Sequence, residues 1–97
     1  MSKPHHRPDP QLDDLVHRLR VWSFASWEHG DRIAQTRDAL QQLADAAADV
    51  DGRPRRPVPQ LSPMALADQL AVLGAAPPPD SASAIIDRLA TDLKIRG

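Results

Sequence analysis

The chain has 97 residues, with 12 Lys and Arg against 13 Asp and Glu, no Cys, 10 Pro, 2 Trp and 1 Phe. That length suits one small domain. Without Cys there is no disulfide framework, thiolate metal site or cysteine nucleophile. No apolar run approaches the roughly 18 residues of a membrane span, and a net charge of −1 excludes a chain that coats nucleic acid.

Ala (15) and Leu (11) dominate, Arg outnumbers Lys ten to two, and Asp outnumbers Glu twelve to one. The Arg, Ala, Asp and Pro excess is the codon bias expected of a GC-rich bacterial genome. Large apolar residues are few for so short a chain, and association with a partner or with itself would help such a fold.

Residues 1–9 are polar and broken by Pro4 and Pro8. They read as a disordered N-terminal tail, without the apolar stretch of a secretory signal. A cytoplasmic location is the expectation. Residues 10–97 read as a single helical domain.

The first helix is expected to start at Asp9-Pro10, with Asp9 as N-cap and Pro10 as first helical residue. Leu12, Leu15, Val16, Leu19, Trp22 and Trp27 share one stripe at 100° per residue. Ser23 and Ser26 lie on it as small packing residues. The helix runs to about Glu28, and Gly30 stops it. A second helix follows from Asp31, with Ile33, Thr36, Leu40, Leu43, Ala44 and Ala47 facing inward and Gly52 at its end. Asp45, Asp49 and Asp51 crowd its C-terminus, where the helix dipole disfavours negative charge.

Residues 51–60, DGRPRRPVPQ, cannot be helix and read as an extended, partly polyproline-II connection. Leu61-Ser62-Pro63 then starts a third helix, with Ser62 as N-cap and Leu61 and Leu66 at the staple positions. Leu66, Leu70 and Leu73 form its stripe, and Gly74 ends it. After the stiff link AAPPP, Asp80, Ser81 or Ser83 caps a fourth helix with Ala82, Ile85, Ile86, Leu89 and Leu93 inward. No strand alternation appears. The expected fold is all-α: a small four-helix bundle, made of a long antiparallel hairpin and two shorter helices.

Catalytic and metal motifs are absent. The four His (5, 6, 17 and 29) form no HExxH, and there is no GxSxG elbow or phosphate-cradling glycine loop. Asp13 and Asp14 stand four and three residues before His17, so either carboxylate could touch its imidazole on a helix. A solvated helix face explains the same spacing, and a metal would need a third ligand. Neither enzyme activity nor a cofactor is expected.

Two features point to a partner. His17, Val21, Phe24 and Glu28 follow i, i+4, i+7, i+11 spacing, roughly opposite the Leu/Trp stripe. Either the first helix is buried on two sides, or Val21 and Phe24 present an apolar patch, flanked by His17, to another protein. The second feature is the basic loop with Arg53, Arg55 and Arg56. It could form the rim of that interface, or neutralise the acidic end of the second helix. By segment, residues 31–52 carry −3 and residues 53–60 carry +3, an arrangement suited to internal pairing or to steering a protein partner.

The loop's Gly52-Arg53-Pro54 resembles part of the AT-hook core, although Asp51 stands where that motif has Arg. Ala65 to Val72 resembles the first helix of the helix-turn-helix in bacterial winged-helix repressors. Ile85-Ile86-Asp87-Arg88-Leu89 resembles part of their recognition helix, and Lys94-Ile95-Arg96-Gly97 the approach to the wing. The departures are a turn longer than about 3–4 residues and an acidic start, Asp80-Ser81, to the second helix. The resemblance implies a small DNA-binding regulator or antitoxin-like protein using residues 65–97 with the Arg loop. The favoured expectation is a non-enzymatic protein acting by protein–protein interaction or self-association, as adaptor, inhibitor or accessory subunit, with no membrane partner.

Overall fold

The computed structural model describes residues 10–94; the expected N-terminal tail and the stretch 95–97 lie outside them. Five α-helices and one 3-10 turn follow in order: α1 Pro10–Arg20, α2 Phe24–Trp27, α3 Arg32–Asp51, the turn Pro63–Ala65, α4 Leu66–Leu73 and α5 Pro79–Asp92. The described residues form a compact, all-helical unit without strands, and none of its helices is long and apolar enough to cross a membrane.

The expected first helix is broken. α1 ends at Arg20, Trp22 N–H donates to the Leu19 carbonyl, and Ser23 turns extended at φ −76° and ψ 167°. Ser23 Oγ then accepts from Ser26 N–H at 3.1 Å, so Ser23 is the N-cap of α2 rather than a packing residue. The break lets Trp27 enter the core while Trp22 stays partly exposed, edge-on to it at 4.9 Å between ring centroids. Arg32 closes the corner. Its guanidinium lies 4.4 Å above the Trp22 ring, and its Nη1 donates to the Ser26 carbonyl at 2.8 Å.

The core unites Leu12, Leu15, Val16 and Leu19 of α1, Leu40 and Leu43 of α3, Leu66 and Leu70 of α4, and Ile86 and Leu89 of α5. Each such side chain contributes roughly 1.5–3 kcal/mol by leaving water. The buried Thr36 hydroxyl donates to the Arg32 carbonyl one turn back, so its polarity carries no unmet bond. The helix pairs in closest contact are α3 with α5, α1 with α4, α3 with α4, and α1 with α5. Neither α1 with α3 nor α4 with α5 is among them. The expected direct hairpin of the two long helices therefore gives way to a packing in which α4 and α5 hold α1 and α3 together.

Helix ends differ in detail from expectation. α5 begins at Pro79, before the expected caps Asp80, Ser81 and Ser83; proline at the first helical position needs no partner for an N–H it lacks. Neither Asp31 nor Ser62 makes a side-chain cap bond. Gly52 sits at φ +69°, and the Arg53 N–H reaches the Ala48 carbonyl at 2.8 Å, closing α3 in a left-handed cap.

Candidate interaction surfaces

The connection from Arg53 to Leu61 is not a loose spacer. It runs back along α3 from C-terminus towards N-terminus, held at successive levels. Arg55 grips Asp49 with two hydrogen bonds of 3.0 and 2.6 Å. The Gln41 side chain donates to the Arg56 carbonyl at 3.0 Å and accepts from the Val58 N–H at 2.9 Å. Arg37 donates to the Leu61 carbonyl, and Gln69 of α4 donates to the Pro59 carbonyl. A proline-rich strand has carbonyls to satisfy but few N–H groups with which to pair. Side-chain amides and a guanidinium supply the missing partners.

Arg53 also pairs with Asp51 at 2.9 Å. Two of the three loop arginines are thus tied to the acidic end of α3, offsetting its unfavourable charge. Hydrogen bonding from Arg55 holds the Asp49 carboxyl below its ordinary value, and the same bond raises the Arg55 guanidinium. Among the described residues, Arg56 enters no ion pair.

The sequence-derived interface residues separate into two places. Arg53 and Arg55 lie at the C-terminal end of α3. Val21 and Phe24 flank the corner that Arg32 closes at the N-terminal end, about 26 Å away along the helix at roughly 1.5 Å per residue. The arginines are therefore no rim for the α1–α2 face. His17 is exposed on α1, one turn before Val21. Asp14, one of its two possible carboxylate neighbours, is bonded instead to Arg18 at 2.9 Å. No group of three or more His, Cys, Asp or Glu among the described residues could hold a metal.

Of the two readings of Val21 and Phe24, the structure has the exposed one: they are 74% and 51% exposed. The sequence reading missed what lies beside them. Between Met64 and Leu73, only Met64, Asp68 and Val72 face solvent, one turn apart, and Met64 and Val72 are 54% and 71% exposed. α2 packs against the turn that carries Met64, and Arg20 at the end of α1 reaches Asp68 at 3.0 Å. Val21 directly follows Arg20, and Met64 and Val72 stand four residues either side of Asp68, so the ion pair ties the two exposed apolar stretches together. The i, i+4, i+8 spacing of Met64, Asp68 and Val72, running from the turn into α4, was a readable signal; the reach of Arg20 across 48 residues was not.

A separate open cleft of about 640 Å³ lies between the first half of α3 and residues 58–60. Ile33, Leu40, Val58 and Pro59 make its apolar walls, and Arg37 and Asp38 add charge. Its lining includes no imidazole, thiol or hydroxyl side chain. Arg37 Nε is buried there without a partner.

Compared with known proteins, the chain matches no family model, and neither curated proteins nor solved structures give a match.

Proposed function

We propose that this chain is a small, non-enzymatic cytoplasmic protein that acts by binding another protein or a second copy of itself, as adaptor, inhibitor or accessory subunit. In this reading the domain is a four-helix bundle, with α2 a short continuation of α1. The working surface is the apolar ridge of Val21, Phe24, Met64 and Val72. The observation that carries the reading is the segment formed by the turn Pro63–Ala65 and α4: its only polar side chains are Asp68 and Gln69, yet Met64 of the turn and Val72 of α4 remain exposed. Single exposed apolar residues need no explanation, but two exposed apolar stretches tied together by a neutralised ion pair mark a contact surface. Phe24→Asp should abolish association and leave the helical circular dichroism unchanged. Unchanged association would sink the reading.

The DNA-binding alternative has less in its favour. Arg53 and Arg55 are already committed to carboxylates. The exposed side of α5 carries Asp80, Asp87 and Asp92 against Arg88, and acidic groups there would repel phosphate. Duplex binding that weakens steeply with salt, and with Arg55→Ala plus Arg56→Ala, would restore it.

A further inference from the structure

We infer that the Arg55–Arg56 peptide bond is a processing site for an arginine-specific endoprotease, and that the chain cut there persists as an interlocked two-chain protein.

An endoprotease needs an exposed segment outside regular structure, and an arginine pocket then selects among the bonds that follow Arg or Lys. From Arg53 to Leu61 the backbone belongs to no helix, and every residue but Val58 is exposed. Elsewhere, Arg18, Arg32, Arg37 and Arg88 stand within helices. Arg20 ends α1, and the Trp22 N–H bond to the Leu19 carbonyl folds the peptide bond after Arg20 into a turn. Arg53 and Arg56 precede Pro54 and Pro57, as Lys3 and Arg7 precede Pro4 and Pro8. A proline after the broken bond, with its ring and no N–H, makes that bond a poor substrate. Of the bonds that join two described residues, this leaves Arg55–Arg56. The Arg55 guanidinium is bound to Asp49, but these side chains are 60% and 51% exposed, and such pairs open at little cost.

Hydrolysis adds water across the bond, leaving a carboxylate on Arg55 and an ammonium group on Arg56. The break falls between two sets of anchors. Arg53 and Arg55 stay with Asp51 and Asp49 on the first product, while residues 56–61 stay held by Gln41, Arg37 and Gln69.

The core loses nothing. The closest helix pairs, α3 with α5, α1 with α4, α3 with α4 and α1 with α5, each join one side of the cut to the other. Neither α1 with α3 nor α4 with α5 is among them, so each product lacks the helices that its own apolar stripes need. Separation would expose those stripes to water; staying together keeps every core contact. What changes is molecularity. The fold of the cut chain is an association, whose stability rises with concentration.

Trypsin, at a low ratio to the folded full chain, is the probe. Denaturing mass spectrometry should find residues 1–55 and 56–97 as the first products, at least about tenfold ahead of any other internal cut. Cuts after Lys94 or Arg96 remove at most residues 95–97 and are told apart by mass. Arg55→Gln should slow the internal cut by more than about tenfold. Size-exclusion chromatography without denaturant should return both products in one peak, at the elution volume of the uncut chain and with its helical circular dichroism. The thermal midpoint of the cut protein should rise with concentration more steeply than that of the uncut chain. A first internal cut anywhere else, no internal cut, or a cut indifferent to Arg55→Gln overturns the processing site. Products that elute apart or lose their helicity overturn the interlocked product.

Discussion

Gly74 and Leu12 meet so closely that a β-carbon on the glycine would stand 2.7 Å from Leu12 Cδ1 and 2.9 Å from Cδ2. The same carbon would lie 2.8 Å from the Leu70 carbonyl oxygen. Gly74 ends α4 with ordinary right-handed angles, φ −68° and ψ −21°, so its value is not freedom of the backbone. It is the absence of a side chain where α1 crosses the end of α4.

Gly74→Ala should therefore destabilise the fold by about 1–3 kcal/mol, the usual cost of overpacking. Urea denaturation would measure it. Leu12→Ala removes both clashing methyl groups, so the double variant should be more stable than the sum of the two losses implies. Recovery should be partial, because the Leu70 carbonyl stays in place.

Gln41 should matter more than an ordinary partly exposed glutamine. Its amide holds Arg56 and Val58 and also donates to Asp45 at 2.9 Å. Gln41→Ala should cost about 1–3 kcal/mol, chiefly because the half-buried Val58 N–H loses its partner, the Arg56 carbonyl being exposed to water. It should also speed hydrogen exchange at the Val58 amide, read by NMR. Gln41→Glu should cost more near neutral pH. It keeps the acceptor for Val58 but sets a negative charge against the Arg56 carbonyl and Asp45.

The inward stripes were legible because helical periodicity is local. Leu66 and Leu70, or Ile86 and Leu89, can be read from their own neighbours. The break after Arg20 was hidden because Trp22 and Trp27 continue the α1 stripe in phase. Its visible signs were Ser23, a good N-cap, and Val21 and Phe24 on the wrong side for a straight helix. Loop docking was illegible for a different reason. Gln41 and Arg37 bond to carbonyls 15 and 24 residues later, with no pattern linking donor to acceptor. The acidic end of α3 did point to the loop arginines, because like charges at a helix C-terminus require an offset. What the charges alone did not reveal was that meeting this need draws Arg53 and Arg55 away from Val21 and Phe24.

Arg32 is expected to lock the corner between α2 and α3. Arg32→Ala removes both the cation above Trp22 and the donor to Ser26, a loss of about 1–2 kcal/mol. Arg32→Lys should recover only part, since an ammonium lacks the planar fork that stacks and donates together. Tryptophan fluorescence should report the change locally, because Trp22 is partly exposed already. An unaltered emission and midpoint in Arg32→Ala would remove the lock.

The pH response should centre on Asp49. Arg55 lowers the Asp49 pKa through its hydrogen bonds, so in the folded state the carboxylate is favoured over its protonated form. The stabilisation is fully present above the unfolded value of about 3.8 and is lost as pH falls through the lower folded value. Because the pair is solvent-exposed, the effect on global stability should be small. The local effect should be clear. A carboxyl-carbon NMR titration should place the Asp49 midpoint below 3.8, and Arg55→Ala should return it towards that value. Arg55→Ala should also loosen the loop near Arg56 while leaving Gln41 bound to Val58, since those contacts occupy different levels of α3. A midpoint unmoved by Arg55→Ala would mean that Arg55 does not hold Asp49 in solution, and that the acidic end of α3 is offset by Arg53 alone.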